Sequence, residues 1–247
     1  MSVTQKLGTA ELLFLCSQQM GLMPTWVTPG ETFAISVNGR ERYVNLARSP
    51  LNSDASAALA KNKYVTRRIL ERHNLQNIPF ALPRSHADAA DFLSKHRTII
   101  AKPITGAGAR DIHIITEPSE LEPLDIRRYI LEKYIIGQEL RYLLLNGQVI
   151  GVHRSDYGTS VAQDRPLQRI SYPQSLWDQA LVSSSLHIAD ILGLKFAAVD
   201  FLVNESGQAY ILEINTMPGL KWFHAPSSGP VVDVARLFMN SVVGNTR

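Results

Sequence analysis

Two stretches near the end of the chain carry residue types that suit a hard cation: Val199-Asp200-Phe201 and Ile211-Leu212-Glu213-Ile214-Asn215-Thr216-Met217-Pro218-Gly219. If both are strands, side chains alternate, so Glu213 and Asn215 share one face while Tyr210, Leu212 and Ile214 take the other. Asn204-Glu205-Ser206-Gly207 can turn the chain back, which lets a neighbouring antiparallel strand set Asp200 beside Glu213. Two carboxylates and an amide oxygen are what magnesium takes from a protein, leaving waters and phosphate oxygens to complete its shell. The alternative is a surface strand with ordinary polar residues.

A second group lies earlier. Ala101-Lys102-Pro103 closes an expected strand and leads into Thr105-Gly106-Ala107-Gly108-Ala109-Arg110. Gly106 and Gly108 let backbone amides approach phosphate oxygens, and Lys102 supplies a fixed positive charge. Neither a Walker A sequence nor a dinucleotide fingerprint is present, and a plain glycine hairpin accounts for this segment equally well. In Leu131 to Arg141, Glu132 can accept a hydrogen bond from an adenine amino group. Ile135 can offer backbone groups to the ring, and Glu139 can hold ribose hydroxyls. Across the Asn146-Gly147 hairpin, Glu139, Arg141, Leu143 and Leu145 form one face, matched by Gln148, Ile150, Val152 and Arg154. Arg141 and Arg154 are therefore expected to face a common cleft, the alternative being two solvated arginines. His113, His153 and His187 have no metal-like spacing and are read as structural.

The elements that must position these residues alternate in type. The sequence predicts a helix over 10–20, extended segments over 24–44, and a polar joint at Asn52–Ser56. Asn62 caps a helix with apolar Tyr64, Val65, Ile69 and Leu70, and Ser85 with Asp88 forms a capping box for a helix over 85–96. Strands follow at 98–102, 111–115, 130–135, 139–145 and 149–154, then a long loop from Ser155 to Tyr172 and helices over 176–192 and 231–243. This is an α+β pattern with a small N-terminal unit, 1–54, ahead of a larger domain, 55–247. Within the larger domain, about 98–154 is the strand-rich lobe and 175–243 the metal-bearing lobe.

With 45% hydrophobic and 19% charged residues in 247, the chain is globular rather than disordered. A net charge of +3 from scattered basic residues makes no nucleic-acid footprint, so no nucleic-acid partner is expected. No apolar run approaches about 20 residues and the N-terminus lacks a signal-peptide pattern, so the expectation is a cytoplasmic protein with no membrane partner. The single cysteine, Cys16, reads as a buried small hydrophobe.

Taken in order, these motifs resemble the ATP-grasp superfamily of ADP-forming carboxylate-amine ligases. Within it they resemble the modules of cyanophycin synthetase, bifunctional glutathione synthetase and RimK-like ligases. Asn62-Lys63 to Leu70 resembles the first-lysine helix, followed by the Ile78-Pro79 turn, and Ile100-Ala101-Lys102-Pro103 the second-lysine strand. Gly106 to Arg110, with Gly108, resembles the mobile glycine loop. Glu132 to Glu139, with Lys133 and Ile135, is similar to the adenine and ribose hinge. Asp200, Glu213 and Asn215 match the magnesium triad.

The resemblance implies an ATP-grasp fold, two α/β subdomains gripping ATP, here with a reduced N-terminal α/β unit. It implies ATP with Mg2+ as cofactors, two ions by expectation, with Mn2+ as an alternative metal. The implied reaction is formation of a carbon-nitrogen bond through an acylphosphate, with Lys63, Lys102, Arg141 and Arg154 neutralising phosphate charge. The partners implied are amino acid or peptide substrates, free or carrier-bound, and a homodimer is one way to complete an acceptor pocket that a short N-terminus leaves small. Ala198 stands where D-alanine:D-alanine ligases carry an arginine, and Arg154 is its substitute. Trp222 and His224 are candidates for substrate contact, with a core Trp and a surface His as the alternative; Arg165 and Arg169 are candidate anion clamps. A small-molecule kinase on the same scaffold and a nucleotide-binding regulatory module are the rival readings.

Overall fold

The computed structural model describes residues 7–48, 51–106, 111–156 and 168–244. They fall into two compact units, one of Met1–Ala57, Gln138–Asp200 and Ile214–Arg247, the other of Ala58–Gly137 and Phe201–Glu213. This partition differs from a division at residue 54, because the N-terminal elements share a core with the C-terminal ones.

In the first unit, α1 (Thr9–Gln19) packs beside an antiparallel sheet of β1 (Thr25–Thr28), β2 (Thr32–Val37) and β3 (Arg40–Asn45). Leu13, Cys16, Phe33 and Ile35 join Phe196, Phe223 and Phe238 in one cluster, since a helix with one apolar stripe must bury it against a partner. Phe14 stacks on Trp26 with ring centres 4.3 Å apart. At Asn52–Ser56 the structure places the start of a helix, α2 (Asp54–Lys61), in place of an irregular joint. The polar residues there are its cap: Ser53 Oγ accepts from the Ser56 amide at 3.1 Å.

The second unit begins its regular structure with α3 (Lys63–Arg72), capped as expected by Asn62, whose Oδ1 accepts from Val65 N at 3.1 Å. After β4 (Phe80–Ala81), α4 (His86–His96) starts at Ser85, whose Oγ accepts from Asp88 N at 3.1 Å. With β5 (Ile99–Pro103), β6 (His113–Ile115) and β7 (Tyr129–Lys133), β4 forms an antiparallel sheet in the order β4-β7-β5-β6. Ala89 and Leu93 of α4 pack on Ile99, Ala101, Ile115 and Leu131.

A five-stranded sheet holds β8 (Gln138–Leu145), β9 (Gln148–Asp156), β10 (Gln168–Tyr172), β11 (Phe196–Val203) and β12 (Ala209–Asn215), in the order β10-β9-β8-β11-β12. The segment expected as one loop, Ser155 to Tyr172, is thus strand at both ends; Gln168-Arg169-Ile170-Ser171-Tyr172 has too little apolar alternation to announce itself. Three helices complete the chain: α5 (Gln179–Ile191), α6 (Lys221–His224) and α7 (Val234–Gly244). The first starts later than position 176 because Asp178 is its cap, accepting from Ala180 N at 2.8 Å. Among the described residues, no helix is long and apolar enough to cross a membrane.

One irregularity decides which side chains meet. Asn146 and Gly147 have φ of 48° and 75°, the two-residue hairpin expected. Leu145 pairs with Gln148 and Leu144 with Val149, but Leu143 then pairs with Gly151 and Arg141 with His153. Ile150 is an extra residue, a β-bulge, and everything beyond it changes face. His153 and Ser155 join Arg141 and Glu139, while Arg154 moves opposite Leu140 to the other side. The expectation that Arg141 and Arg154 face one cleft is therefore corrected. Gly151 sits beside the bulge because a Cβ there would stand 2.8 Å from Cδ1 of Phe223.

Candidate functional site

In the second unit, charged groups converge from a helix and three strands. Lys63 and Arg67 lie four residues apart on α3, hence on one face. The backbone amide of Lys63 donates to Ile104 O at 2.9 Å and its Nζ to Gly106 O at 3.2 Å, which ties the helix start to the first residue of the glycine segment. Lys102, on β5, donates to Glu132 Oε2 at 2.7 Å, and Arg67 Nε donates to Glu132 Oε1 at 2.7 Å. The Glu132 side chain is 1% exposed. Burial alone would raise its carboxyl, but the charges and hydrogen bonds of Arg67 and Lys102 outweigh that and hold it at about 2. Both oxygens are engaged, so Glu132 is a buried counter-ion to Arg67 and Lys102, and an adenine contact would use a remaining lone pair.

Lys63 feels the same cluster. Burial lowers its pKa first, Glu213 and Glu132 pull it up, and Lys102 and Arg67 push it down. Two lysines and one arginine therefore share a neighbourhood with two carboxylates. Lys133, at the end of β7, is exposed and its amide donates to Pro79 O at 2.9 Å; Ile135 just beyond is half-buried. Glu213 is exposed on β12, after the turn at Asn204, whose Oδ1 accepts from Ser206 N and Gln208 N. Gly108, Arg110 and Arg165 lie outside the described residues.

In the first unit, Arg141 on β8 grips Asp200 on β11 with two parallel hydrogen bonds, Nε to Oδ1 and Nη2 to Oδ2, both 2.6 Å. Asp200 is 1% exposed. Next along the same face, Glu139 accepts from Ser155 Oγ at 3.2 Å and lies 3.7 Å from Arg169 Nη1. Glu139 thus meets Arg169, one of the two clamps expected from the sequence. Between these pairs sits His153, fully buried, its ring 4.8 Å from that of Phe223. Burial first, then Arg141 and Arg169, hold its pKa down at about 3, so it is neutral. On the opposite face Arg154 Nη1 lies 3.5 Å from Tyr172 Oη.

Asn215 Oδ1 accepts from Met217 N at 2.9 Å, an Asx turn that fixes the amide at the end of β12. His224 Nε2 accepts from Ala235 N at 2.9 Å and so caps α7. Trp222 carries the Lys221 ammonium 4.7 Å over its ring. No group of three or more His, Cys, Asp or Glu side chains forms a metal cluster among the described residues; the expected set is smaller, with two carboxylates and one amide. Its donors are all hard oxygens, which suits magnesium. The Arg141 pair takes one lone pair from each Asp200 oxygen and leaves another on each.

The sequence did not place two residues of these clusters. Arg67 stands in an Arg67-Arg68 pair that looks like surface charge, and its spacing from Lys63 is the signal that marks it. His153 was read as structural, and the glycine at 151 is the one hint of the bulge that brings it beside Arg141.

Helices and antiparallel sheets in this order, with two lysines on α3 and β5 and carboxylates on β11 and β12, define an α+β nucleotide-grasping architecture. A family model described as an ATP-grasp domain matches residues 60–219, and the chain belongs to that family. It is 28% identical over 184 residues to a D-alanine–D-alanine ligase of Trichlorobacter lovleyi, covering 67% of this chain and 53% of that protein. A D-alanine–D-alanine ligase of Rickettsia canadensis is 28% identical over 195 residues, covering 72% and 55%. The chain thus spans about half the length of the curated relatives it matches.

Among solved structures, a bifunctional glutathione synthetase from Pasteurella multocida superposes with a TM-score of 0.71 at 12% identity, covering 98% of this chain and 45% of that one. The macrocyclase MdnC from Microcystis aeruginosa, bound with precursor peptide MdnA, gives 0.69 at 12% identity and covers 96% of both chains. At these identities the likeness establishes the ATP-grasp fold.

Proposed function

We propose that the chain is an ATP-dependent, ADP-forming carboxylate-amine ligase acting on an amino acid or peptide carboxylate through an acylphosphate. The observation that carries this reading is the cluster of Lys63, Arg67 and Lys102 around Glu132 and Glu213, where fixed cations outnumber carboxylates and the glycine segment begins at the Lys63 ammonium. Such an arrangement suits phosphate oxygens, because phosphoryl transfer depends on positioning and on neutralising charge spread over them. In this reading Lys63, Lys102, Gly106 and Gly108 are candidate phosphate contacts, Lys133 and Ile135 candidate base contacts and Glu139 a candidate ribose contact.

Asp200, Glu213 and Asn215 are the magnesium ligands of the proposal. An ion held by these three residues would supply Lewis-acid charge to a transferring phosphoryl group. Arg141 holds Asp200 in place, and it and Arg169, each beside a carboxylate, are the candidate contacts for an acyl phosphate. Arg154 takes no part in that face. A fold neighbour solved with its precursor peptide supports a peptide carboxylate as substrate. The ligase relatives favour a free amino acid equally.

ADP release with Mg-ATP against pools of amino acids and peptides, with mass spectrometry of products, tests the proposal. A product of the two substrates' mass less one water is expected, with ADP release rising with amine. A stable phosphorylated product that forms without amine would make the chain a kinase instead.

A further inference from the structure

Arg67 makes four hydrogen bonds from one buried guanidinium, and their destinations are β7, β12 and Asn77 in the segment between α3 and β4, all in the second unit. Nε donates to Glu132 Oε1 at 2.7 Å, Nη1 to Asn77 Oδ1 at 3.0 Å and Ile211 O at 2.5 Å, and Nη2 to Leu212 O at 2.8 Å. Asn77 returns a bond to the Arg67 carbonyl at 2.9 Å. The side chain is 3% exposed, so none of these bonds is shared with bulk water. Ile211 and Leu212 are the residues directly before Glu213, and Glu132 accepts from the Lys102 ammonium.

We infer that Arg67 is a positioning residue that sets the Lys102 ammonium and the Glu213 carboxylate in one frame. It reaches the first through Glu132 and the second through the backbone of β12. This rests on the ligase reading, in which Lys102 meets nucleotide phosphate and Glu213 meets magnesium. Arg67 touches neither ligand. The planar fork matters as much as the charge, because only a guanidinium can serve a carboxylate and two successive carbonyls at once. Lysine at 67 keeps the cation that Glu132 requires and loses the fork; glutamine at 132 keeps the fork and loses the anion that orients Lys102.

The two substitutions therefore separate the two arms. Arg67→Lys is expected to melt cooperatively and to lose affinity for Mg-ATP about 10–100-fold, with a clearly smaller loss for metal-free ATP. Glu132→Gln is expected to weaken ATP binding with and without magnesium alike. Calorimetry with ATP in EDTA and with Mg-ATP reads both, and thermal unfolding checks the fold. A merely structural Arg67 would lower the melting temperature without this split. Wild-type affinity and magnesium dependence in folded Arg67→Lys would overturn the inference. Should Arg67→Lys not fold, Asn77→Ala removes one anchor of the same fork and should show the split in smaller measure; its absence would overturn the inference equally. Failure of the wild type to bind Mg-ATP at all would instead contradict the ligase reading.

Discussion

In the second unit Arg67, Lys102 and Glu132 converge from a regular helix and regular strands, whereas in the first unit the company Arg141 keeps depends on one extra residue, Ile150. Both regions bury a carboxylate at 1% exposure against arginine. They differ in how the partner is chosen. Helical spacing and strand ends fix the first set, so each charge follows from its own element. A bulge fixes the second, and a strand without it would offer Arg141 a valine neighbour and send Arg154 to the same side. Regular elements transmit a sequence pattern faithfully; a bulge rewrites half a strand.

The comparison can be broken most forcefully at the two proposed metal carboxylates. Asp200→Asn and Glu213→Gln should each lower turnover on the order of 10²–10³-fold. Only Asp200→Asn should also destabilise, by about 3 kcal/mol, because it strips a largely buried Arg141 of its counter-ion while Glu213 is exposed. Urea unfolding of both variants checks this; equal stability would mean that the Arg141 pair contributes nothing. In the second unit, Glu132→Gln leaves two buried cations facing each other and should cost about 3–5 kcal/mol by the same measurement.

The bulge is probed at its flank. Gly151→Ala places a methyl against Phe223 and should destabilise by about 1–3 kcal/mol, with Phe223→Leu in the same chain relieving part of the loss. A smaller effect is confined to acid. His153 titrates at about 3 when folded and near its ordinary 6.5 when unfolded, so only the unfolded chain takes up a proton between those values. Its depressed pKa makes stability fall as pH drops below 6.5, by about 2 kcal/mol at pH 5, with no effect at pH 7. His153→Asn should flatten the stability profile between pH 6.5 and 5, read by unfolding at each pH; an unchanged slope would mean that the imidazole is not buried between the arginines.

Much of this was legible in the sequence because it is local. Asn62 and Ser85 cap the helices they precede, Asn146-Gly147 turns the hairpin, and Lys63, Lys102, Asp200, Glu213 and Asn215 sit on the elements their patterns assign. What escaped is non-local or irregular. Glu132 and Arg67 are 65 residues apart, and nothing in either segment says that the carboxylate is spent on an arginine. Ile150 is as good a strand residue as its neighbours, so its bulge has no signature beyond the glycine that follows. The cap at Asp178 and the polar start of α2 show the same limit, since a polar residue reads alike in a loop and at a helix end.

The most direct test of the account is a calorimetric titration of Mg-ATP into wild-type protein and Lys102→Met. One nucleotide is expected to bind the wild type, and the variant, which keeps the Arg67–Glu132 pair and should remain folded, is expected to bind at least about tenfold more weakly, as loss of a charge-assisted contact of 1.5–3 kcal/mol implies. Equal affinity in the two proteins would remove Lys102 from the phosphate site and with it the cluster on which the functional reading stands.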